Sequence, residues 1–137
     1  MREIKFRAWD NKQKSMSASF TLSDMHEATY MNLEPKNHID NYKIMQYTGL
    51  KDKNGKEIYE GDQLKINNKW QGVVKYGIAN AFDGCCSYVK LCGFYIERKD
   101  SHSIMFNYEG QHLNPEEEYE VIGNIYENPE LLKNNNE

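Results

Sequence analysis

Met45–Asp62 reads MQYTGLKDKNGKEIYEGD, and its punctuation decides how the remaining sequence is parsed. Tyr42 to Thr48 approaches it as a strand and ends at Gly49. Lys51-Asp52-Lys53-Asn54-Gly55 is a polar turn, because Asn-Gly accepts left-handed backbone at little cost. Ile58-Tyr59 is a short apolar pair, and Glu60-Gly61-Asp62 is a second turn opening into another strand. Gly49, Asn54, Gly55, Gly61 and Asp62 are therefore read as a structural turn motif. Asp52, Asn54 and Glu57 have a superficial likeness to a calcium loop. The spacing fails, since Gly55 follows Asn54 directly and no carboxylate stands at the closing position.

Outward from this elbow, short strands recur between turn signals every 8–12 residues or so, which is an all-β pattern. Residues 3–9 alternate, and the period of two places Ile4, Phe6 and Ala8 on a buried face, with Lys5, Arg7 and Trp9 opposite. Met16 to Thr21 is expected to return as the second strand of a hairpin. Ser23 or Asp24 is expected to cap a short helix beginning the 20–41 connection. After the elbow, Leu64 and Ile66 point inward. Asn67-Asn68-Lys69 is a tight hairpin turn, and Trp70 to Tyr76 returns with Trp70, Gly72, Val74 and Tyr76 on one face and Val73 on the other. Gly72 leaves room for a large neighbour or marks a bulge. Gly77 to Gly84 reads as a loop, Cys85 to Ile96 as a bent strand, Ile104 to Tyr108 as a short one and Tyr119 to Tyr126 as the last. Asn114-Pro115 and Asn128-Pro129 each read as the start of a helical turn.

The segment from Ile58 to Ile96 has the order of a small SH3-like barrel, in which glycines and bulges bend strands enough to curl the sheet. The expected organisation is one domain over 1–137, with an N-terminal β unit over about 1–48, a barrel-like part over about 56–126 and an acidic tail over 127–137. The ten tyrosines and three prolines suit strands.

The formal net charge is −4, and it is uneven. Seven acidic residues against Lys133 lie between Asn114 and Glu137, so the body is slightly positive. That is weaker than the basic footprint of most nucleic-acid-binding domains. No apolar run reaches the roughly 18 residues of a bilayer span, and the N-terminus lacks a secretory apolar core. A cytoplasmic protein is expected. Cys85, Cys86 and Cys92 are an odd number set close together, which suits reduced thiols better than a disulfide framework. Adjacent cysteines point to opposite sides of a strand, so a shared metal with His102 is disfavoured. Glu116, Glu117, Glu118 and Glu120 read as helix-start electrostatics rather than an acid–base pair. No phosphate loop, dinucleotide fingerprint, nucleophile elbow or zinc-protease motif is present. No cofactor or metal is implied, and no catalytic residue can be named.

Three blocks resemble the YopX family of bacteriophage and prophage proteins: MREIKFRAWD at the start, MQYTGLKDKNGKEIYEGD in the middle and VIGNIYENPELL near the end. The resemblance implies a β-rich, phage-encoded protein acting inside the bacterial host. It implies no activity and carries no catalytic residues with it. The expected role is a non-enzymatic protein-binding or regulatory module that docks a host or phage protein, or a second copy of itself as a homo-oligomer, through exposed sheet edges and aromatic residues. The alternative is an accessory nucleic-acid-binding barrel that stacks bases on Trp70, Tyr76 and Phe82 beside Lys75.

Overall fold

The computed structural model describes residues 3–24, 42–82, 88–98, 104–105 and 118–133. Its strands are β1 (Phe6–Asp10), β2 (Ser15–Met16), β3 (Tyr42–Lys51), β4 (Glu57–Tyr59), β5 (Asp62–Ile66), β6 (Trp70–Phe82), β7 (Tyr88–Arg98), β8 (Ile104–Met105) and β9 (Tyr119–Asn124), followed by a short helix, α1 (Glu130–Lys133). A four-stranded antiparallel sheet has the order β2–β1–β3–β4. A five-stranded antiparallel sheet, curled into half a barrel, has the order β8–β7–β6–β5–β9. The fold is all-β, as the strand and turn periodicity requires. β4 belongs by pairing to the first sheet, yet its Ile58 is buried in the core of the second.

That core is built on alternation. Leu64 and Ile66 of β5, Val74 of β6, and Phe94 and Ile96 of β7 share one face, and Tyr119 and Ile58 close over it. The hairpin turn joining β5 to β6 has Asn67 and Asn68 at φ 52° and 56°, the left-handed pair that Asn tolerates best. Gly72 is a packing device. A Cβ there would collide with Cγ2 of Ile96 and lie 3.0 Å from the Glu97 carbonyl oxygen. Gly72→Ala is therefore expected to destabilise by about 1–3 kcal/mol through overpacking. Urea denaturation with an unchanged slope and a lowered midpoint would show it.

Several sequence expectations are corrected. The buried face of β1 is the opposite of the one the hydrophobic alternation suggests. Arg7 and Trp9 are buried, whereas Ile4 is 54% exposed. The first sheet packs on residues that Arg7 can pair with and that Trp9 can stack on, and this outweighs the smaller gain from Ile4. Trp9 lies against Tyr126, with ring centroids 5.9 Å apart. The outer side of β1 keeps a minor contact, Phe6 against Phe20 at 6.2 Å.

The return from β1 is shorter than expected. β2 holds two residues, and Phe20 then makes an isolated bridge to Phe6. The helical turn at 22–24 is capped by Thr21, not by Ser23 or Asp24. Thr21 Oγ1 accepts the Asp24 N–H at 3.2 Å and Asp24 Oδ2 accepts the Thr21 N–H at 2.6 Å, a reciprocal capping box.

Val73, on the face of β6 opposite Val74, is buried as Val74 is, and it lines the cleft described below. Gly77 to Phe82 is not a loop. β6 continues through it, pairing Gly77 with Gly93 and Phe82 with Tyr88. The turn expected at Asn114-Pro115 and the thiols Cys85 and Cys86 lie outside the described residues.

Candidate interaction cleft

The elbow delivers residues to the junction between the sheets. Gly49, at φ 89°, sits in the bulge where the β3–β4 register shifts between Tyr47 and Lys51. Thr48 Oγ1 donates to the Ile58 carbonyl at 2.7 Å, satisfying a buried acceptor there. Asn54 and Gly55 form the tip, and Gly55 is at φ 82° in open space.

Asp52 organises that tip. Its Oδ1 accepts the Asn54 and Lys56 N–H groups at 2.9 Å each, and its Oδ2 accepts the Val121 N–H at 2.9 Å. Burial pushes its carboxyl up, but the N–H groups of Val121, Lys56 and Asn54 outweigh this and hold it below the ordinary value. The Lys53 N–H donates to the Tyr119 carbonyl at 2.9 Å, so the elbow covers the edge of β9 that β5 leaves open.

Gly61 and Asp62 form the joint. Gly61 is at φ 86°, a conformation that costs most residues, and Met45 Sδ would lie 3.4 Å from any Cβ there. The Gly61 N–H donates to the Val74 carbonyl at 2.8 Å, and its own carbonyl accepts the Ile125 N–H at 3.0 Å. Asp62 is almost fully buried. Its Oδ1 meets Arg7 Nη2 at 2.6 Å and its Oδ2 accepts the Tyr59 N–H at 2.8 Å. Burial pushes the Asp62 carboxyl up, against the pull of Arg7 and the Tyr59 N–H. Arg7 also lies over the Tyr59 ring at 4.6 Å. Tyr59 packs on Tyr47 at 5.3 Å, and Lys5 lies over Tyr47 at 4.9 Å. Lys5 pairs with Glu57 on the same surface.

Above the joint the sheets diverge into a cleft of about 680 Å³. Tyr42, Ile44 and Met45 of β3 line one wall, and Val73, Lys75, Tyr76 and Tyr95 of β6 and β7 line the other. Glu60, Gly61, Ile125 and Tyr126 also contribute. The rim carries exposed apolar side chains: Tyr42 (36%), Ile44 (52%) and Tyr76 (52%), with Ile78 (71%) two residues further along β6.

Of the residues expected to form a surface for a partner or nucleic acid, Lys75 and Tyr76 meet in this cleft. Lys75 is paired with Glu97 at 2.7 Å, and Tyr76 stands edge-on to the buried Phe94 at 4.9 Å. Trp70 is partly buried against the barrel core, with Lys69 over its ring at 4.9 Å. Phe82 ends β6, and its side chain lies outside the described residues. Sequence reasoning missed Glu60 and Tyr126, which carried no signal beyond ordinary turn and strand composition. It also missed Arg7, whose charge in an alternating strand reads as solvent-facing. Among the described residues no three of His, Cys, Asp and Glu gather to hold a metal ion. No helix of the described residues is long and apolar enough to cross a membrane.

Comparison with known proteins places this architecture. No curated protein matches the chain. Among solved structures, the crystal structure of protein EF1440 from Enterococcus faecalis is similar, with a TM-score of 0.50 and 28% identity over 96% of this chain and 99% of that one. The YopX protein family model matches residues 5–133, a span holding both sheets, the elbow and the cleft. The chain belongs to the YopX family.

Proposed function

We propose that the protein is a non-enzymatic binding module that docks a protein, from host or phage or a second copy of itself, along the cleft between its sheets. One observation carries this reading: Tyr42, Ile44 and Tyr76 stay exposed together around a concave surface, with Ile78 exposed two residues beyond Tyr76 on β6. Single exposed apolar side chains are ordinary, but a group around a cleft marks a contact surface. Tyrosine suits such a surface, since it buries a large ring while its hydroxyl remains hydrated. In the same reading the half-barrel is of SH3-like kind, and the protein is phage- or prophage-encoded and works in the host cytoplasm. Family membership supports that origin.

The nucleic-acid alternative has less support. Lys75 is neutralised by Glu97, and Trp70 is partly committed to the core. A stacking groove needs cationic groups available for phosphate.

Photo-cross-linking in host cells tests the proposal. A photoreactive residue at position 44 or 78 is expected to give protein adducts of the same mass. One at the exposed Gln13, in the β1–β2 turn, is expected to give none. Adducts at all three positions alike, or adducts removed by nuclease, would sink the docking reading.

A further inference from the structure

Glu60 is an acidic residue of the joint that has no ion pair among the described residues. Its backbone is pinned, because its N–H donates to the Gln46 carbonyl at 3.0 Å and the next N–H, of Gly61, bonds to Val74. This holds the side chain in the lining of the cleft. The neighbouring acids are all paired: Asp62 with Arg7, Glu57 with Lys5 and Glu97 with Lys75. Among the described residues the half-buried Glu60 carboxylate makes no ion pair or side-chain hydrogen bond. Burial pushes its carboxyl up, and no facing charge pulls it back. Its charge is felt by Tyr126, whose hydroxyl is pushed up by burial and then by Glu60. Lys43 and Lys75 line the same cleft; Lys75 is taken up by Glu97, and among the described residues no ion pair joins Lys43 to Glu60.

Four tyrosines line the cleft with Glu60: Tyr42, Tyr76, Tyr95 and Tyr126. Tyrosine ring faces attract cations, and they do so more strongly where water is excluded. An isolated, partly desolvated carboxylate among tyrosines is costly to the free protein and complementary to a cation. A guanidinium fits better than an ammonium, since it is more weakly hydrated, stacks on rings and offers a fork of donors to a carboxylate.

We propose that the cleft is a receptor for an arginine side chain of the docked protein, with Glu60 as its countercharge and the tyrosines as its walls. This rests on the docking reading above and names the chemistry of the partner. The cleft is larger than one arginine requires, so residues flanking it in the partner are accommodated beside Ile44 and Tyr76.

The test uses N-acetyl-arginine amide as the probe and N-acetyl-citrulline amide, its uncharged isostere, as the control, followed by amide NMR on the full chain. Saturable shifts are expected at Glu60, Gly61, Val73 and Tyr126 with the arginine probe. Citrulline is expected to bind at least about tenfold more weakly, and Glu60→Gln to lose arginine binding by a similar factor. Glu60→Gln should melt no lower than the parent at neutral pH, because it removes a charge that has no ion-pair partner among the described residues. Equal shifts with citrulline, undiminished binding in Glu60→Gln, or shifts confined to residues outside the cleft would overturn the arginine assignment. If Glu60 merely served the fold through Lys43, Glu60→Gln and Lys43→Gln would lower the melting temperature alike, and that result would also overturn it. The cross-links at positions 44 and 78 report separately. If they persist unchanged in Glu60→Gln, docking stands and the arginine receptor fails. If they are absent at both positions, the docking reading itself fails.

Discussion

Arg7→Met is expected to destabilise the fold by about 3–5 kcal/mol, because it leaves Asp62 buried without its cation. For a small domain with a total stability of about 5–15 kcal/mol, that is a large fraction. The cost does not measure the worth of the ion pair. It measures a carboxylate that is 1% exposed and retains only the Tyr59 N–H as a donor. The double variant Arg7→Met, Asp62→Asn should therefore recover much of the loss, since the amide oxygen still accepts from Tyr59 and no charge remains buried.

The pH dependence separates this from simple loss of packing. Burial already raises the Asp62 carboxyl above its ordinary value of 3.8, and removing Arg7 takes away a force in the other direction. A carboxyl raised in the folded state binds its proton more tightly there than in the unfolded chain. Its penalty is complete above the folded pKa and is relieved as pH falls toward the unfolded value. Arg7→Met should thus lose less stability relative to the parent in mild acid than at neutral pH, as read by urea denaturation across that range. A destabilisation independent of pH would mean that Arg7 acts through its contact with Tyr59 alone.

Asp52→Ala should cost about 3 kcal/mol, from three backbone donors that lose a charged acceptor, moderated because the turn lies near solvent. The Val121 N–H is the critical one, since Asp52 reaches it across 69 positions of sequence and thereby fastens the elbow to β9. The sign with pH is opposite to that of Asp62. Asp52 is held below 3.8 in the folded state. Its contribution is present above the unfolded value and is lost as pH falls through the lowered folded pKa. The parent should therefore lose stability below about pH 4, and Asp52→Ala should lose less over the same interval. Amide exchange at Val121 offers a local check, because it should quicken in the variant far more than exchange in the core strands.

These two carboxylates sit ten positions apart in one elbow and were not equally readable. Asp52 precedes Asn54-Gly55, and a turn aspartate bonding the N–H groups that follow it is a local event set by its neighbours. Its grip on Val121 is not local and has no trace in the turn itself. Asp62 was legible as part of a turn, because Gly61 before it must take left-handed backbone. Its partner Arg7 was not, because the two are 55 positions apart.

What the amino-acid sequence determined by itself is whatever depends on backbone geometry and on short-range alternation. That includes the turns at Asn54-Gly55, Gly61 and Asn67-Asn68, the inward Leu64 and Ile66, and the all-β class, whereas the choice between a close neighbour and a bulge at Gly72 needed the Ile96 side chain to decide it. Tertiary structure decided the rest. A period of two shows that a strand has two faces and leaves open which one is buried, so Arg7 and Trp9 took the interior once Asp62 and Tyr126 were there to meet them. Val73 and Val74 are both buried although they lie on opposite faces of β6, which alternation along one strand does not reveal. Glu60 reads in one dimension as an ordinary turn acid. Only the divergence of the two sheets above Gly61 sets it among tyrosines, without an ion pair among the described residues, because a cleft belongs to the packing of distant segments and to no stretch of chain.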